Sequence, residues 1–184
     1  MHARQFALIV AVAGVMLGSV SPAPAAAKLT KTGTARTTFM VAGPTGLAIK
    51  GTTADMTVTD DGTIVTITVP LKHLSTGMAL RDENIKTALA VATYPTATLA
   101  VARASLTFLN QKSPTGFANG SFTLHGRTKM VRFHYQARKT GTTYAVTGAL
   151  SFNMNDYGVT SPTYLGVTVK PTVQIQTVFD AIDE

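Results

Sequence analysis

From Thr34 onward, apolar and polar side chains alternate in short runs broken by turn residues, the period-two signature of half-buried β-strands. Thr34 to Val41 places Phe39 and Val41 on one face, and Gly43-Pro44-Thr45-Gly46 turns the chain. A second strand starts at Leu47 and Ile49, bends at Gly51 and continues through Met56 and Val58 to the hairpin signal Asp60-Asp61-Gly62. Val65, Ile67, Val69 and Leu71 form the third. In Thr96 to Phe108, Ala100, Ala102, Ala104, Leu106 and Phe108 share a face opposite Leu99, Val101 and Arg103, and the small uncharged face is expected inside. The fifth strand, Phe117 to Leu124, carries Phe122 and Leu124, and His125-Gly126-Arg127-Thr128 turns it. The sixth sets Val131, Phe133, Tyr135 and Ala137 against Met130, Arg132, His134 and Arg138. Tyr144, Val146, Gly148, Leu150, Phe152 and Met154 align in the seventh. A loop from Asn155 to Gly166 leads to the last, where Val167, Val169, Val173, Ile175 and Phe179 oppose Lys170, Gln174 and Gln176.

One stretch changes period. Between Leu71 and Pro95, Ile85 and Leu89 recur four apart with Ala88 and Ala92 beside them, predicting a short amphipathic helix of about 15 Å between strands three and four. Asp82 and Glu83 suit its positive end, Thr76-Gly77 turns into it, and Pro95 requires it to have stopped. The expected fold is all-β: eight antiparallel strands closed into a lipocalin-like β-barrel, which removes sheet edges, with one short α-helix plugging an end. A two-sheet sandwich is the competing arrangement. A barrel of this size is either filled by its side chains or holds one small ligand; the small residues of the fourth strand and Gly148 point to a cavity.

Residues 1–27 read as a signal peptide and 28–184 as one β-barrel domain. His2 and Arg4 give a basic start, Phe6 to Leu17 is apolar apart from Gly14, and the Ala-rich segment ending at Ala25 or Ala27 offers a cleavage site. The run is too short to span a bilayer, which takes roughly 20 apolar residues. The mature protein is therefore expected to be periplasmic or secreted. Removing Arg4 lowers the formal charge of +7 to +6. That balance admits an anionic ligand or contact with a membrane surface, but the basic residues are dispersed and lack the aromatic interleaving that stacks bases, so nucleic acid is not expected. With no cysteine anywhere, disulfides, thiolate metal sites and a Cys nucleophile are excluded.

The three histidines of the mature chain, His73, His125 and His134, are too separated to propose a metal set. Ser75, His73 and Asp82 supply the residue types of a hydrolytic triad, but no G-x-S-x-G elbow supports one, so no catalysis and no cofactor are expected.

Ser75-Thr76-Gly77, Arg81-Asp82, Tyr94-Pro95, Gly120 with Phe122-Thr123-Leu124-His125-Gly126, Lys129 and Asp156-Tyr157-Gly158 occur in an order and spacing that resemble the YceI-like family, over nearly all of the mature chain. Two positions depart from that pattern: Asn84 stands where the family commonly has His, and Ala88-Leu89-Ala90-Val91 where Phe-Phe-Asp is frequent. The chain also lacks the Trp typical of lipocalins proper. The resemblance implies a bacterial lipocalin-like barrel that binds an isoprenoid lipid, here a polyprenyl phosphate or an isoprenoid quinone, as monomer or homodimer. The expected wall combines Phe39, Val41, Ile67 and Val69 with Ala100, Ala102 and Ala104. Phe122, Leu124, Phe133 and Tyr135 continue it, and Leu150, Phe152, Val173 and Ile175 complete it. Lys72, Arg81 and Lys86 are the expected cations at the mouth. An enzyme using the same cavity and an interaction module with a filled barrel are the alternatives.

Overall fold

The computed structural model describes residues 27–109, 113–164 and 167–184; the expected signal segment lies outside them except for Ala27. Among the described residues nine strands form one antiparallel sheet: β1 (Leu29–Ala42), β2 (Ala48–Thr53), β3 (Thr57–Asp60), β4 (Ile64–Pro70), β5 (Thr96–Ala102), β6 (Thr115–Leu124), β7 (Arg127–Thr140), β8 (Thr143–Asn153) and β11 (Thr172–Asp183). A separate two-residue hairpin, β9 (Thr163–Tyr164) with β10 (Val167–Thr168), lies within the long upper connection. The strand order is β2-β1-β11-β8-β7-β6-β5-β4-β3, so consecutive strands β2 and β3 form opposite edges. The sheet therefore curls until its edges meet, and β1 packs against β3. The expected all-β barrel is present, with nine sheet strands in place of eight. The expected second strand is broken at residues 54–56; its first half pairs with β1 and its second half with β4. Each half still lies where a single strand two of a closed barrel would.

The seam is fastened at both ends. At the upper end Thr52 and Ser75 exchange backbone hydrogen bonds of 2.8 and 2.9 Å. At the lower end Arg103 donates to Asp60 and Asp183, while the Leu29 amide donates 2.8 Å to the same Asp60 carboxylate. Burial works against the Arg103 charge, but the two carboxylates overcome it and raise its pKa further. The first residues after Lys28, expected as a tail, instead begin β1: Leu29 is buried, and a bulge at residues 32–35 shifts the register with β11.

The fourth strand is the main correction. β5 stops at Ala102, and a 3-10 turn at Arg103–Ser105 breaks the alternation before Leu106 and Phe108 close the lower end. Leu106 and Phe108 do point inward, but counting back from them in steps of two crosses that turn and loses phase. Ala97, Leu99 and Val101 face the interior; Ala100 is half-buried on the other face, and Ala102 and Ala104 are exposed. The last expected strand is likewise interrupted at Lys170-Pro171, separating β10 from β11. The clean alternation expected for β7 holds: Phe133, Tyr135 and Ala137 are buried, and Arg132 and His134 are exposed. The expected Asn110 to Thr115 loop lies partly outside the described residues.

Candidate functional site: an apolar barrel cavity

The α-helix α1 (Ala79–Ala88) sits between β4 and β5 at the upper end, about 15 Å long as expected. Asp82 anchors it. Its carboxylate accepts from the Ser75 hydroxyl at 2.9 Å, from the Thr76 amide at 2.7 Å and from the Thr76 hydroxyl. Burial opposes its charge, but the Thr76 and Ser75 hydrogen bonds win and hold the carboxyl below its ordinary range. Arg81 does not pair with Asp82 directly. Its Nε donates 2.8 Å to the Thr76 hydroxyl and its Nη2 donates 3.0 Å to the Thr76 carbonyl, so Thr76 links the two.

Inside the curl lies a cavity of about 800 Å³, within the range of ligand pockets, ~300–1,000 Å³. Backbone register sorts one side of its wall into layers, as in other small barrels. Ile49, Val41, Val173 and Phe152 form the uppermost cross-strand row, and Gly51, Phe39, Ile175 and Leu150 the second. The Phe39 ring lies over Gly51, where an added Cβ would come within 2.1 Å of it. The third row is Thr53, Thr37, Thr177, Gly148 and Tyr135. Ala35, Phe179, Val146 and Ala137 form the fourth. Below, Phe108 packs between Tyr135 and Tyr144, with ring centroids 5.7 and 5.4 Å away, and shuts the floor.

Of the residues expected in the wall, Phe39, Val41, Ile67, Val69, Phe122 and Leu124 line the cavity, as do Phe133, Tyr135, Leu150, Phe152, Val173 and Ile175. Ala100, Ala102 and Ala104 do not, for the phase reason given above. Among the three expected cations only Arg81 lines it, and among the described residues it is the sole charged one that does. Lys72 is exposed beyond β4, and Lys86 is turned to Glu83 at 2.9 Å, one helical turn away. The lining residues most open to solvent include Leu47, Met78, Leu80, Asn84 and Pro162, so the mouth is rimmed by α1, the β1–β2 turn and the connection after β8. Thr37, Thr53 and Thr177 escaped the sequence reading because threonine counts as polar there. Their phase carries the signal: Thr37 precedes Phe39 and Val41 by twos, and Thr177 lies between Ile175 and Phe179.

Most of the motif residues do something else. Tyr94 meets the His125 ring edge-on at 5.0 Å and covers Gly126. His125 and Gly126 take φ values of 51° and 70°, the left-handed pair a two-residue hairpin requires, and His125 Nδ1 lies 3.2 Å from the Tyr157 carbonyl oxygen. Tyr157 is buried against Phe122 and Phe152, and Gly158, at φ 74°, makes way for Arg127. These residues lock the upper turns together. The triad types are also dispersed: His73 pairs with Asp55, whereas Ser75 donates to Asp82.

A curled antiparallel barrel with a shut floor, an apolar interior and a mouth beside a short helix defines the lipocalin-like architecture. The chain belongs to the YceI-like domain family, which matches residues 23–181. Its fold is that of a polyisoprenoid binding domain from Saccharophagus degradans implicated in plant cell wall breakdown, at 17% identity over 86% of this chain and 99% of that one, TM-score 0.68. Burkholderia cenocepacia BcnA is similar at 14% identity, 79% and 95% coverage and TM-score 0.64. So is the Campylobacter jejuni YceI protein, at 14%, 74% and 85% with TM-score 0.55. No curated protein matches.

Proposed function

We propose that this protein sequesters or carries an isoprenoid-type lipid, a polyprenyl phosphate or an isoprenoid quinone, inside its barrel, and does not transform it. The observation that carries this reading is the cavity itself: about 800 Å³, walled mostly by aliphatic and aromatic side chains, with Arg81 as its one charged lining residue among the described residues. A barrel filled by its own side chains leaves no such space. Burial drives binding: at about 25 cal/mol per Å² of apolar surface, several isoprene units supply on the order of 10 kcal/mol before entropy is subtracted. A phosphate head would rest at the mouth against Arg81, and the polyisoprenoid-binding relative supports the ligand class. The exposed Leu47, Met78 and Leu80 give the mouth an apolar rim suited to exchange with a membrane surface.

Export to the periplasm or medium, read from residues 1–27, belongs to the same proposal, because a carrier outside the cytoplasm needs that route. Organic extraction and mass spectrometry of protein purified from its own host tests the ligand. A stoichiometric isoprenoid agrees; an empty extract together with no binding of added isoprenoid contradicts it. Cell fractionation with N-terminal sequencing tests export, which predicts a mature start near Ala26 or Lys28.

A further inference from the structure

Resting on that reading, we infer that the third row of the wall is a polar subsite that takes a neutral hydrogen-bond acceptor oxygen, such as a ketone or ester carbonyl, carried by the lipid. Thr53, Thr37 and Thr177 stand side by side on three adjacent strands, and all three line the cavity. Their hydroxyl hydrogens outnumber the protein acceptors offered to them. The Thr37 and Thr177 oxygens lie 3.2 Å apart, so one donates to the other, and the second hydrogen has no acceptor among the described residues. The Thr53 oxygen accepts from the Asp55 amide at 3.2 Å, and its own hydrogen is likewise unspent. Two donors therefore face the interior of a largely apolar barrel. Hydrocarbon packed against them strands both, whereas one carbonyl oxygen, with two lone pairs, accepts from both.

The surroundings select the class of acceptor. The next residue of the row is Gly148, and a Cβ built there meets nothing within 4 Å, so space for a head group lies beside the hydroxyls. Among the described residues no charged side chain lines this depth; the single charged lining residue, Arg81, is at the mouth. A phosphate moved down to the threonines would be an unpaired buried anion. Four residues separate the first row from the third on β1, about 14 Å of strand, so the acceptor travels that far in. Tyr135 does not compete for it, because its hydroxyl is engaged with Thr107 at 2.8 Å. The ligand so defined enters polar group first and leaves its hydrocarbon tail along the two upper rows, toward the mouth.

The test compares farnesylacetone, an isoprenoid ketone, with the hydrocarbon in which methylene replaces its oxygen, and with farnesyl phosphate, on the full protein and on the Thr37→Val/Thr177→Val variant. The parent is expected to bind the ketone about tenfold more tightly than the hydrocarbon, the effect of a satisfied hydrogen bond. The variant, which removes the Thr37/Thr177 donor and leaves Thr53, weakens that preference and binds the hydrocarbon at least as tightly as the parent does. The infrared carbonyl band of the bound ketone should shift to lower frequency in the parent, which needs no variant to be folded. Equal affinity of the parent for ketone and hydrocarbon, an unshifted band, or a preference unchanged in a folded variant overturns the subsite while leaving the lipid reading intact. Failure of all three probes to bind removes the lipid reading and the subsite together.

Discussion

Two glycines on the cavity wall strands have opposite reasons to be there, and substitution separates them. A Cβ at Gly120 would meet the Ala100 carbonyl oxygen and the Leu99 side chain at 2.9 Å, so Gly120→Ala is expected to cost about 1–3 kcal/mol of overpacking. At Gly148 the same atom meets nothing, and Gly148→Ala should leave the unfolding midpoint close to the parent's. On β7, Phe133→Asp buries an unpaired charge and should cost several kcal/mol in urea unfolding. Its neighbour Arg132 is exposed and stacks 4.4 Å over Phe117, so Arg132→Ser should cost only about 0.5–1 kcal/mol. Similar losses at both positions would refute the facing. At this scale the sequence was readable where alternation ran unbroken, as from Val131 to Ala137. It misled at Ala100, Ala102 and Ala104, and it passed over the threonines, whose hydroxyls hide an inward phase.

The helix stands on one carboxylate, so its stability has a pH signature. The Asp82 carboxyl is held below its ordinary range in the folded protein. Its contribution is then complete above the unfolded value, near 4, and is lost as the pH falls through the lower folded value. Thermal unfolding between about pH 6 and pH 2.5 should therefore fall more steeply for the parent than for Asp82→Asn, which should already be about 1.5 kcal/mol or more weaker at neutral pH. Parallel profiles would contradict the anchoring. The element's position and length were legible from the Ile85 and Leu89 spacing and from the acidic first turn. Its fastening was not, because the bonds run to Ser75 and Thr76 across a turn whose shape periodicity does not encode. For the same reason the 3-10 turn after Ala102 was invisible: Arg103 leaves the strand to reach Asp60 and Asp183, partners 43 and 80 residues away.

That arginine holds the whole molecule closed. The Asp60 side chain is fully buried beside it, and Arg103→Met leaves this carboxylate without its cation, an expected loss of about 3–5 kcal/mol in equilibrium unfolding. A loss within about 0.5 kcal/mol would show that the seam does not depend on it. Barrel closure was foreseeable because a long antiparallel meander has to hide its edges; the break in the second strand was not, since Gly51 marks a bend without saying which neighbour each half joins. The residues that made the family recognisable mostly build upper turns, and the space between the walls belongs to a generic apolar pattern. Occupation of that space by a lipid is what the proposed function requires. It is tested most directly by measuring isoprenoid binding to the full protein and to Gly148→Leu, whose added side chain enters the open volume of the third row. Occupation of the barrel predicts an unchanged unfolding midpoint with affinity reduced at least about tenfold; unchanged affinity in the folded variant would place the ligand elsewhere and contradict the account.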